Sequence, residues 1–78
     1  MKTFKDYLKK ILPIPCCNIE VSEDGYKYKI KSFASVLSEG NIIKCIEKRL
    51  NKCKRVKSYS MWFYDDDLFY KYMIIEMQ

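Results

Sequence analysis

Ser58-Tyr59-Ser60-Met61-Trp62-Phe63-Tyr64-Asp65-Asp66-Asp67-Leu68-Phe69-Tyr70-Lys71-Tyr72-Met73-Ile74-Ile75 sets two aromatic, β-favouring runs on either side of three aspartates. This pattern predicts a β-hairpin with an acidic tip. A three-residue loop places Tyr64 opposite Leu68, so Phe63 faces Phe69, Trp62 faces Tyr70 and Tyr59 faces Met73. Because strand side chains alternate, that register sorts the hairpin into two unlike faces. Tyr59, Met61, Phe63, Phe69, Met73, Ile75 and Met77 form an inward face, with Lys71 as its exception. Ser58, Ser60, Trp62, Tyr64, Tyr70 and Tyr72 form an outward one, joined by Val56, Leu68, Ile74 and Glu76. The outward set is a wet aromatic surface of the kind that binding faces use.

A second two-residue period lies upstream. Cys17, Ile19 and Val21 alternate with Asn18 and Glu20, and after Ser22-Glu23-Asp24-Gly25 come Tyr26, Tyr28 and Ile30, alternating with Lys27, Lys29 and Lys31. Asp24-Gly25 supplies turn chemistry, glycine tolerating the positive φ that such loops require. A four-residue loop pairs Val21 with Tyr26 and Ile19 with Tyr28 on a buried face, and Glu20 with Lys27 on a lysine-studded, solvated one.

Helical periods fill the remainder. Thr3 and Asp6 form a capping box with aspartate in the glutamate position, and Phe4, Tyr7, Leu8, Ile11 and Leu12 recur at helical spacing. This predicts a helix over about Phe4 to Leu12, ended by Pro13 and Pro15. Ile42, Ile43, Ile46, Leu50 and Cys53 mark a second stripe, predicting a helix over about Glu39 to Lys52 with lysines late in it, where the helix dipole favours them. Ser35 or Ser38 is a candidate cap for it. The expected fold is α+β: a two-layer sandwich in α-β-β-α-β-β order, with a four-stranded, mainly antiparallel sheet and both helices on one face.

Composition bounds the function. Seventy-eight residues make a single domain over residues 1–78, and a chain this short buries only about 60–65% of its unfolded surface, leaving little room for an enzyme cleft. With no histidine the chain lacks the usual neutral-pH general base and the commonest metal ligand, so neither enzyme activity nor a cofactor is expected. Cys16, Cys17, Cys45 and Cys53 lack the close pairing of a zinc site. They read as small buried apolar residues. The basic start is followed by no apolar signal segment and no run approaches the roughly 18 residues of a membrane span, which predicts a cytoplasmic protein with no membrane contact.

What remains is binding. A protein partner is expected at Ser58, Ser60, Trp62, Tyr64, Asp65, Asp66, Asp67, Tyr70 and Tyr72, since Trp and Tyr dominate binding energies at protein interfaces. By analogy, a tiny docking domain without chemistry suits an inhibitor that a phage or mobile element directs at a larger host protein. The alternative is single-stranded nucleic acid, with the aromatics stacking on bases and Lys27, Lys29, Lys31, Lys54, Arg55 and Lys57 meeting phosphates. The net charge of +5 suits that alternative, while the near absence of arginine and the acidic tip oppose it. A homodimer is a further expectation to be tested by solution mass.

Overall fold

A computed structural model describes residues 3–38 and 40–78. The chain is α+β, with two helices and a five-stranded antiparallel sheet. In order, it runs α1 (Phe4–Ile11), β1 (Cys16–Val21), β2 (Lys27–Phe33), a 3₁₀ turn (Val36–Ser38), α2 (Gly40–Lys52), β3 (Val56–Tyr59), β4 (Phe63–Tyr64) and β5 (Tyr70–Met77). The strand order is β1-β2-β5-β3, with β4 pairing β5 farther along. The added strand arises because the expected third strand is broken into β3 and β4 between Tyr59 and Phe63.

Local chemistry accounts for α1. The Asp6 N–H donates to Thr3 Oγ1 (3.3 Å) and the Thr3 N–H donates to Asp6 Oδ2 (3.1 Å), so both halves of the capping box form. The Thr3 N–H first and the Thr3 hydroxyl second, both donating to Asp6 Oδ2, hold the Asp6 carboxyl below its ordinary pKa. At the far end Leu12 is already extended, as a residue before proline prefers, and closes the last turn by donating to the Leu8 carbonyl. The second helix runs Gly40–Lys52; Glu39, its expected start, lies outside the described residues. Ser38 donates its hydroxyl to the Ser35 carbonyl, just ahead of α2.

Phe4, Leu8, Leu12 and Ile14 from the N-terminal segment, Leu37, and Ile46 and Leu50 from α2 join Ile19, Ile30, Met73 and Ile75 in one core. Ile19, Ile30 and Met73 lie side by side across β1, β2 and β5, so this face of the sheet is the one that joins the core. The buried Ser32 is satisfied by donating to the Pro15 carbonyl at 2.8 Å.

Both hairpins differ from the expected registers. In the first, Val21 pairs with Tyr28 and Ile19 with Ile30, a slip of two residues that keeps Ile19, Tyr28 and Ile30 on their expected face, though Val21 at its end is 52% exposed. Tyr26 moves into the loop, where Gly25 (φ +78°) makes the turn. A bulge near the start of β1 turns Cys17 to the surface, so it is not the buried residue its type suggested; all four cysteines are free thiols.

The second hairpin departs further. Phe63 pairs with Tyr72 and Tyr64 with Lys71, while nearer the chain end Tyr59 pairs with Ile75 and Ser58 with Glu76. The tip register is thus an odd number of residues from the expected one, which exchanges faces. Two causes are visible. The loop closes at Asp65 and Tyr70, where the Asp65 N–H donates to the Tyr70 carbonyl. Between Ser60, bonded to Ile74, and Phe63, opposite Tyr72, Met61 and Trp62 together span the single residue Met73, forming a bulge. Ser60 bridges the break by accepting the Ile74 N–H on its hydroxyl.

Candidate functional site

The sheet face away from the helices is built from alternate residues of β2, β4 and β5. Lys31, Tyr72 and Phe63 form one cross-strand row and Phe33 with Tyr70 the next. Phe33 stacks on Tyr70 with centroids 5.0 Å apart, and Phe63 tilts against Tyr72 at 6.0 Å. The lysine ammonium groups lie over these rings, Lys29 at 4.4 Å from the Tyr72 centroid and Lys31 at 4.9 Å from that of Tyr70. Cation and ring therefore cover each other across β2 and β5.

Carboxylates complete the face. Asp65 forms an ion pair with Lys31, whose hydrogen bond lowers the Asp65 pKa, while the same bond raises that of Lys31. Lys27 lies 3.8 Å from Glu76, which also accepts from Ser58 Oγ. At the tip the three aspartates have separate tasks. Asp65 accepts from the Asp66 N–H as well as from Lys31, and Asp67 accepts from the Phe69 N–H. Among the described residues no cluster of three or more His, Cys, Asp or Glu side chains is arranged to hold a metal.

Of the residues expected on the outward face, Ser58, Tyr70, Tyr72, Ile74 and Glu76 lie there. Others move. Trp62 is half-buried and packs against the core, with its indole N–H shielded and unpartnered. Val56, opposite Met77, also packs inward, and Tyr64 shares the helix-side face with Lys71, whose ammonium lies 4.6 Å from the Tyr64 ring centroid. In exchange, three residues expected inside are exposed: Met61 at 81%, Phe69 at 74% and Phe63 at 49% of their accessible surface. The Met61–Trp62 bulge is the physical cause for Met61 and Phe63, because an extra residue inverts the alternation beyond it, while Phe69 falls within the loop closed by Asp65 and Tyr70.

The result is a cluster of exposed large apolar side chains around the second hairpin's tip: Phe33, Met61, Phe63, Tyr64, Leu68 and Phe69. Phe33, Met61, Phe63 and Phe69 are the members that alternation in the sequence did not mark for a surface. Phe69 is held beside β2 because its carbonyl accepts the Ala34 N–H at 2.8 Å, which extends the β2–β5 ladder into the loop.

The cations divide between two sides. Residues 16–33 and 56–77, which contain the strands, hold five lysines and seven carboxylates, whereas α1 and residues 40–55 hold nine cations and two carboxylates. Lys27, Lys29 and Lys31 thus stand in a charge-balanced sheet, and Lys57 lies in β3. Lys54 and Arg55 follow α2 and line a hollow with Tyr26, Tyr28 and Met77, and the Arg55 guanidinium stacks over the Phe4 ring at 5.1 Å. Of the basic residues expected to act together, Lys27 and Lys57 line one hollow and Lys54 and Arg55 another, both against Tyr26 and Met77, while Lys29 and Lys31 lie over the Tyr72 and Tyr70 rings. No helix among the described residues is long and apolar enough to cross a membrane. Comparison with protein-family models, curated proteins and solved structures finds no match to this chain.

Proposed function

We propose that this chain is a non-enzymatic protein-binding module, a two-layer sandwich that docks on a larger host protein through its aromatic sheet face and acidic hairpin tip. The observation that carries this reading is the set of exposed apolar side chains Phe33, Met61, Phe63, Leu68 and Phe69 around the hairpin tip, next to the ring pairs of the open sheet. Contiguous apolar groups of this size at a surface are characteristic of interaction sites. The tip also sets the partner's chemistry. Asp66 and Asp67 are in neither of the ion pairs formed among the described residues, so they complement an apolar groove rimmed by lysine or arginine. A cytoplasmic inhibitor of a host machine, of the phage or mobile-element kind, is the role that suits a docking face without chemistry.

Single-stranded nucleic acid on the same face is the weaker reading. Tyr70 and Tyr72 already carry ammonium groups over their rings, Lys31 and Lys27 are engaged by carboxylates, and the tip repels phosphate. Base stacking there requires those contacts to be displaced.

The test is affinity capture from cells of the source organism, followed by binding measurements with the purified partner. Phe69→Ala and Tyr70→Ala are expected to weaken that binding at least tenfold, about 1.4 kcal/mol each, with unchanged circular dichroism. Capture of no partner, or equal affinity of wild type and both variants, overturns the reading. Sedimentation over a concentration series decides whether the partner is a second copy.

A further inference from the structure

We infer that the helix side of the molecule is a second binding surface, one that takes the phosphate backbone of duplex DNA without reading its sequence. It is independent of the aromatic face and carries the protein's unbalanced charge. Lys44, Lys48 and Lys52 recur every four residues along α2, on the side of the helix opposite the buried Ile46 and Leu50, and all three are exposed. From Lys44 to Lys52 the stripe spans about 12 Å at 1.5 Å rise per residue, close to the roughly 12 Å width of the DNA major groove. Cations at its two ends can therefore meet phosphates on opposite rims.

The stripe continues beyond the helix. Lys54 and Arg55 follow directly, and Arg55 lines one cleft together with Lys10 of α1, on a floor shared with Thr3, Asp6 and Tyr7. Arg55 is fixed in this position by the Phe4 ring beneath it. The cations of this belt are thus Lys44, Lys48 and Lys52 along α2, Lys54 and Arg55 after it, and Lys10, which shares the Arg55 cleft. The carboxylates of these elements leave it largely unopposed: Asp6 is committed to the Thr3 cap, and Glu47 lies on one flank of α2. Neither ion pair formed among the described residues involves the belt.

Three features favour duplex DNA over other polyanions. A membrane surface requires apolar side chains among the cations. Here Phe4 and Leu8 are buried, and the exposed large apolar groups cluster instead on the opposite sheet face and hairpin tip. Stacking on single strands requires a row of exposed rings, and Tyr7 is the one large exposed aromatic among the described residues of the two helices. The belt is mostly lysine, which neutralises phosphate as a point charge and does not read base edges with a planar fork.

Fluorescence anisotropy with a labelled duplex of about 20 base pairs tests this, because phosphate contacts make affinity fall steeply with salt. Engagement of about four phosphates predicts a log–log salt slope of about −4. Lys44→Gln, Lys48→Gln and Lys52→Gln combined are expected to weaken binding at least about tenfold and flatten the slope by about 3. The charge-matched combination of Lys27→Gln, Lys29→Gln and Lys31→Gln on the sheet is expected to change affinity less than about threefold. Amide shift mapping on the wild-type protein gives a reading that needs no variant, and is expected to move residues of α1, α2 and the 53–55 turn. No binding at low salt, equal losses in the two triple variants, or shifts confined to the sheet would overturn the inference. Binding to phosphatidylserine vesicles or polyglutamate in preference to the duplex does so as well.

Discussion

The two hairpins of this protein share one core but treat their loops and surfaces in opposite ways. The first closes on a glycine in the left-handed region, with the Ser22 hydroxyl and Tyr26 N–H both donating to the Asp24 carboxylate. These bonds, the hydroxyl first, lower the Asp24 pKa. The second places Leu68 in the same backbone region (φ +62°), where a branched side chain is strained, and exposes it. Its tip exposes Phe63, Tyr64, Leu68 and Phe69 together, whereas the first hairpin's turn exposes Val21 and Tyr26 among lysines and carboxylates. Backbone strain and uncovered apolar area thus coincide at one end of the molecule, the place where binding surfaces accept such costs.

The largest expected effect tests what the hairpins share. Ile30 of β2 and Met73 of β5 face each other, fully buried, so Ile30→Ala is expected to lose about 2–5 kcal/mol in urea unfolding. A loss below about 1 kcal/mol would show that the hairpins are not joined through this core. The turns come next. Added at Gly25, a Cβ meets nothing within 4 Å, so Gly25→Ala is expected to cost about 1–2 kcal/mol through φ alone. Leu68→Gly is expected to raise stability by about 0.5–1 kcal/mol, strain relief exceeding the added chain entropy. Opposite signs in thermal melts of these two variants express the contrast between the loops; equal signs would remove it.

The smallest effect concerns the Lys31–Asp65 tie between the hairpins. Because the native Asp65 carboxyl titrates below its ordinary value, the tie stabilises above about pH 3.9 and is lost as pH falls through the lowered native pKa. Lys31, with its pKa raised, supplies the corresponding upper limit, the contribution vanishing as pH rises through its native value. In Asp65→Asn the acid-side shift of the Lys31 and Tyr70 resonances is expected to disappear. Persistence of that shift would assign it to Asp6 or Asp24, whose pKa values are also lowered.

The same contrast explains which parts of the structure were legible in the residues. Both helices and the capping box were readable because their contacts lie within four residues along the chain. Apart from the bulge at Cys17, the first hairpin kept its faces despite a two-residue slip, since an even shift preserves alternation. The second did not. Nothing in its alternation distinguishes a loop closed at Tyr64 and Leu68 from one closed at Asp65 and Tyr70, or marks Met61–Trp62 as the bulge. Hence Trp62, the most prominent candidate for the outward face, packs inward, while Phe63 and Phe69 go outside.

By itself the sequence determined the helices, the strand-forming runs and the acidic turn, because these follow from periodicity and short-range hydrogen bonding. Only the tertiary structure decided the register of the second hairpin, the aromatic residues left at the surface and the separation of the basic belt from the rings. Those outcomes depend on which distant strand supplies each backbone partner and which side chains the helices cover, and a bulge of one residue is enough to reverse them.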